Sequence, residues 1–127
     1  MDKELYDIGL KTRREVLGDD YVDRSMAAAT PLTQPLQDLL NEYCWGAVWS
    51  RPGIDRRSRS LVNLGMITAL GKAPELKIHI RGALRNGLSQ EEIVEVLLQT
   101  AIYCGMPAAM EAFRVASDVF KEEGLPA

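Results

Sequence analysis

The chain has one histidine, two cysteines and two phenylalanines among 127 residues. That leaves little for a metal centre or a thiol machine. One imidazole and two thiols cannot complete a four-ligand zinc set from this chain alone, and no metal site is expected. Cys44 and Cys104 form no C-x-x-C and read as buried free thiols in a reducing compartment. No apolar run is long enough to cross a bilayer. The start, M-D-K-E-L-Y, lacks the apolar core of a secretory signal, so a cytoplasmic location is expected. No stretch alternates apolar and polar residues long enough to make a strand. The net charge of −3 lacks the basic excess of a nucleic-acid protein, and neither nucleic acid nor membrane is expected as a partner.

What is present is helix. A composition of 46% hydrophobic and 26% charged residues suits one domain over 1–127 with one core. A first helix over Asp2–Leu17 places Leu5, Ile8, Thr12 and Val16 on one stripe, and Gly18 stops it. Asp19–Thr33 reads as an irregular arm or a short helix. Thr33 and Pro35 open a second helix expected to bury Leu36, Leu39, Leu40 and Tyr43. Ser50-Arg51-Pro52-Gly53 is a turn. Asp55 begins a third helix carrying Leu61, Leu64, Met66 and Leu70, ended by Gly71. A fourth runs from near Pro74 to Asn86-Gly87. Ser89 and Glu92 form a capping box for a fifth, with Ile93, Val96, Leu97 and Thr100 on its core face. Gly105, Pro107 and Gly124 bound a sixth. About six helices with short links predict an all-α bundle. Small residues on the third to fifth helices and leftover apolar surface suit a homo-oligomer.

Charge is unevenly spread. From Arg51 to Arg85 eight cations face only Asp55 and Glu75, which leaves this stretch at +6 and the remainder of the chain at −9. Such a patch with aromatics nearby suits a small anion. Asp38, Glu42, Trp45 and Trp49 fall on one helical face, separate from the Leu36/Leu40/Tyr43 stripe. An acid between two indoles suits a pocket or a neighbouring subunit; core packing with Glu42 as an edge charge describes the spacing equally well. His79 lies beside Leu76 and Ala83, so it reads either as a satisfied core histidine or as a catalyst. Its company favours the second: Arg81 and Arg85 follow on its helix, and Arg56 and Arg59 precede Asn63 on the one before. Guanidinium groups bind carboxylates in pairs of hydrogen bonds. Arg57 and Arg85 are expected to be structural.

Three blocks carry a resemblance. E-Y-x-W-G-x-V-W-x-R-P-G-I-D-x-R-x-R-S-L (Glu42–Leu61), H-x-R-G-A-L-x-N-G-x-S-x-E-E-I (His79–Ile93) and Q-T-A-x-Y-x-G-x-P-A-A-x-E-A-F (Gln99–Phe113) resemble the 4-carboxymuconolactone decarboxylase family. The resemblance implies an alkylhydroperoxidase-D-like all-α bundle and a homo-oligomer, a trimer or hexamer. It also implies cofactor-free loss of CO2 from γ-carboxymuconolactone, giving β-ketoadipate enol-lactone in aromatic catabolism. The redox branch of that superfamily carries C-x-x-C-x-x-x-H; with its histidine set on His79, the cysteine positions fall on Lys72 and Glu75. Thiol peroxidase chemistry is therefore disfavoured, although a redox protein of this fold, or a decarboxylase of another carboxylated lactone, is the alternative.

The implied substrate is a dianion whose ring accepts its own bonding electrons, so no cofactor is needed. The protein must hold the retained carboxylate, stabilise charge on the lactone oxygen and deliver a proton. His79 is the expected proton donor or electrophile, with Glu42 as its orienting partner or a second acid. Arg51, Arg59 and Arg81 are expected to bind substrate, Trp45 and Trp49 to flank the departing carboxylate, and Tyr103 to line the pocket.

Overall fold

The computed structural model describes all 127 residues, and every regular element in it is helical. The all-α expectation holds, with seven α-helices and one π-helix where about six helices were expected. The chain divides into two compact units, Met1–Arg56 and Arg57–Ala127.

The first unit holds α1 (Lys3–Leu17), α2 (Asp19–Ala27) and α3 (Gln34–Leu39). The last runs without a break into a π-helix, Leu40–Trp49. Asp2 caps α1, its carboxylate accepting the Leu5 N–H at 3.0 Å. Gly18, at φ 91°, ends α1 and lets α2 begin at once, so the stretch read as an irregular arm or a short helix is mostly a short helix. α1 and the π-helix meet backbone to backbone. A Cβ on Gly9 would sit 1.7 Å from the Asn41 carbonyl oxygen, and one on Gly46 would sit 2.5 Å from that of Leu5.

This approach overturns the expected buried stripe. Leu36 (59% exposed), Leu39 and Tyr43 face outward, and Leu40 is only partly covered. Asn41, Glu42, Trp45, Gly46 and Trp49 are the buried set. Leu36 and Leu39 lie in the α-helical α3, and Tyr43 lies in the π-helix, where the winding itself changes. Hydrogen bonding from i to i+5 widens the turn, and the glycine contact fixes which side of it α1 covers. Two indoles also remove more apolar area from water than the leucines they displace.

The second unit holds α4 (Arg56–Leu70, whose first residue closes the first unit), α5 (Ala73–Arg85), α6 (Gln90–Tyr103) and α7 (Met106–Glu122). Leu64, Leu76, Ile80, Ile93, Leu97 and Val119 lead a continuous aliphatic core. Each fully buried Leu or Ile contributes about 1.5–3 kcal/mol. Met66 and Leu70 are exposed; Ser60, Leu64 and Thr68 form the buried face of α4. Cys104, expected to be buried, is exposed at the end of α6. The Ser89/Glu92 capping box is present in both directions, at 3.1 and 3.0 Å. Asn86-Gly87 ends α5, with Gly87 at φ 94° and the Leu88 N–H reaching back to the Ala83 carbonyl at 3.0 Å. No helix is long and apolar enough to cross a membrane.

Candidate active site

The residues singled out in the sequence fall in both units. In the second, α5 presents Leu76, Ile80 and Ala83 to the core and leaves His79 partly buried beside them. The His79 Nδ1 lies 3.1 Å from the amide nitrogen of Asn63 on α4. Burial holds the imidazole down to a pKa of about 4, while Glu75, one turn back on α5, pulls the opposite way. At neutral pH His79 is therefore uncharged. A second polar bridge joins the same two helices, the Asn86 side-chain amide donating to the buried Ser60 Oγ at 2.9 Å.

Arg59 is partly buried one helical turn before Asn63. Residues four apart share a helix face, so α4 puts Arg59 on the face that carries the partner of His79. Arg81 has other company. Its guanidinium pairs with Glu122, and its Nε lies 3.3 Å from Glu123, both at the end of α7. Lys77 reaches the same Glu122 at 3.1 Å. Arg57 pairs with the capping-box Glu92, a structural use of the kind expected of it. Arg85 is exposed at the last turn of α5. Tyr103 is 83% exposed. It lines an apolar groove of about 860 Å³ between α4 and α6, formed chiefly by Leu61, Val62, Met66, Val96 and Thr100. Neither His79, Arg59 nor Arg81 lines that groove, so the second unit joins His79 to Asn63, with Arg59 one turn before Asn63 on α4, and leaves Tyr103 apart.

In the first unit the π-helix carries Trp45 and Trp49, only 3% and 8% exposed. Their rings stack with centroids 4.7 Å apart at 26°. Glu42 is buried, and its Oε1 accepts the backbone N–H of Asp2 at 3.0 Å, which ties the π-helix to the start of α1. Arg51 sits in the exposed turn after the π-helix. The buried cation of this unit is Arg13 on α1. It donates to Gln37 Oε1 (2.9 Å), Asn41 Oδ1 (3.1 Å) and Ser25 Oγ (3.0 Å), joining all the helical segments of the unit. Desolvation lowers its pKa, and the nearby Tyr21 and Cys44 oppose this. Burial pushes the Cys44 thiol up, which keeps it protonated and a weak nucleophile. Arg56 pairs with Glu15 at 2.6 Å.

No three His, Cys, Asp or Glu side chains come together as a metal site. Sequence reasoning assigned Asn63 no role of its own. The available signal was a carboxamide one turn after Arg59, amid the apolar residues of α4. Arg13 and Asn41 were also missed, because a buried cation served by neutral acceptors has no sequence signature.

Comparison with known proteins adds direct likenesses. The model of the carboxymuconolactone decarboxylase family matches residues 34–118. The nitrosuccinic acid decarboxylase of Metarhizium robertsii is 43% identical over 96% of this chain and 85% of its own length. The 4-carboxymuconolactone decarboxylase of Acinetobacter baylyi is 40% identical over 98% of this chain and 92% of its own. An uncharacterised 15.0 kDa protein of Paracoccus denitrificans is 32% identical over 77% of this chain and 75% of its own.

Proposed function

From the premise that this chain belongs to the carboxymuconolactone decarboxylase family, we propose that it converts γ-carboxymuconolactone to β-ketoadipate enol-lactone with loss of CO2 and no cofactor. The observation that carries this reading is the near full-length match to a decarboxylase of that lactone.

The chemistry sets the roles. As the bond to the departing carboxylate breaks, its electrons pass through the ring double bond to the lactone carbonyl oxygen. A ring carbon then takes up a proton. The protein lowers the barrier by favouring charge on that oxygen more than it favours the starting dianion. His79 is uncharged at neutral pH, which selects between the two roles open to it. A neutral imidazole that gave up its proton would become an imidazolate, at high cost. As an N–H donor to the growing oxyanion it needs no charge of its own. His79 is thus the electrophile, and the ring carbon is protonated by another acid. Arg59 holds the carboxylate that stays. An arginine on the departing carboxylate would stabilise the ground state and slow the reaction. Motif resemblance supports the parts given to Glu42 as acid, Arg51 as a second anion contact and Trp45 and Trp49 as apolar flanks of the departing group. Motif resemblance alone suggests Arg81 and Tyr103 as further contacts; Arg81 is paired with Glu122 and Glu123, and Tyr103 lines a groove that His79 does not.

The likeness to a nitrosuccinic acid decarboxylase favours a second reading, a succinate bearing a nitro group as substrate. The two compounds share a plan. Each has a carbon that loses carboxylate, a carboxymethyl arm that remains, and a group able to accept the electrons on oxygen. The redox alternative would need paired thiols, and the protonated Cys44 does not favour it.

The test is ultraviolet absorbance with purified protein, a chelator and no added cofactor, comparing both substrates. Decay of the lactone with the higher kcat/KM is expected. Turnover of nitrosuccinate alone would move the assignment to the second reading, and turnover of neither would overturn it.

A further inference from the structure

We propose that Asn63 is a positioning residue for His79: its amide N–H2 donates to Nδ1, fixes the ring and confines the imidazole proton to Nε2. An amide nitrogen has hydrogens to give and no lone pair to accept with. At 3.1 Å from Nδ1 it makes that ring atom the acceptor. A neutral imidazole has one N–H, so the proton resides on the other nitrogen. Burial supplies the second half of the constraint, since it keeps the ring neutral and prevents both nitrogens from carrying protons together.

The helix pair is built to keep this contact. The Ser60–Asn86 bond makes a second tie between α4 and the end of α5, one turn before Asn63 and two turns after His79. Two polar bridges in one seam resist sliding and rotation of either helix. Glu75, one turn back on α5, favours a charged ring, and burial outweighs it.

The catalytic consequence rests on the decarboxylase reading: with its proton on Nε2, His79 donates to the oxyanion through one defined atom. The tautomer itself does not rest on it. His79 is the only histidine, so protein labelled with 15N-histidine gives one pair of ring signals and needs no assignment.

Expected for the wild type at pH 7 is a bare Nδ1 shifted by an accepted hydrogen bond and a protonated Nε2. Asn63→Asp replaces the donor with an acceptor. The proton should move to Nδ1 and the imidazole pKa should rise, with kcat for the lactone falling by roughly tenfold or more and KM changing less. Asn63→Leu removes the donor, so the Nδ1 signal should move to the position of a free lone pair. A wild-type spectrum with the proton on Nδ1 overturns the proposal with no variant needed. So does a folded Asn63→Asp with unchanged shifts and pKa. If the spectra behave as expected and no form of the protein consumes the lactone, the functional reading fails and the positioning role stands.

Discussion

The first unit presses backbone against backbone, whereas the second fills its interior with branched aliphatic side chains. In the first, Gly9 and Gly46 bring α1 onto a π-helix, and the buried set includes Arg13, Asn41, Glu42 and two stacked indoles. In the second, Leu64, Ile80, Ile93, Leu97 and Val119 are fully covered, and the polar groups serve caps, surface ion pairs and the α4–α5 seam. The difference is one of tolerance. A close glycine contact has no side chain that can move aside. An aliphatic core relaxes partly around a lost methyl group.

The sharpest way to break this comparison is Gly9→Ala. The added carbon would meet a backbone carbonyl at 1.7 Å, so the loss should exceed the roughly 1–3 kcal/mol of ordinary overpacking. Circular dichroism and calorimetry should show the packing of α1 on the π-helix lost altogether. A variant that melts like the wild type would mean that the glycine contact is not what holds the unit.

Ile80→Ala tests the other half. It should cost about 2–5 kcal/mol by denaturant titration, with partial relaxation around the cavity. Ser89→Ala, which removes the cap of α6, should cost only about 1 kcal/mol.

The same contrast explains what could be read in the sequence. In the second unit each signal was local or had the α-helical period. Ser89 with Glu92, Asn86-Gly87, and Ile93, Leu97 and Thr100 all took the places read for them. Of the apolar residues read on α4, Leu64 is buried while Met66 and Leu70 are exposed. In the first unit the winding changes at Leu40. A stripe counted at α-helical spacing selected Leu36, Leu39 and Tyr43, whereas the close approach of α1 at Gly9 and Gly46 covers the side that carries Asn41, Glu42, Trp45 and Trp49. Trp45 and Trp49 share a face as read, and that face is buried, as the core-packing alternative had it. His79, Arg59 and Asn63 were legible as neighbours on successive helices. The hydrogen bond that makes Asn63 the partner of His79 needed coordinates.

The pH dependence of stability sharpens the comparison least in size, and most specifically. The folded pKa of His79 lies near 4, below its ordinary unfolded value. The unfolded chain therefore binds more protons between those values, and stability falls as pH drops through the window. Glu92 is depressed, first by Arg57 and then by the Ser89 backbone, so its support of α6 is also lost on acidification, at lower pH. His79→Gln should remove the first component and leave the second, as read from melting temperatures at pH between the ordinary imidazole value of about 6.5 and about 4, and then below it.

The most direct measurement is lactone turnover by His79→Gln, set beside the wild type at neutral pH with chelator present and folding verified. Loss of the donor to the developing oxyanion should lower kcat by roughly 10²–10³-fold, with the wild-type rate flat through pH 6.5, where an ordinary imidazole would titrate. A folded His79→Gln that turns over the lactone at the wild-type rate would contradict the role given to the imidazole.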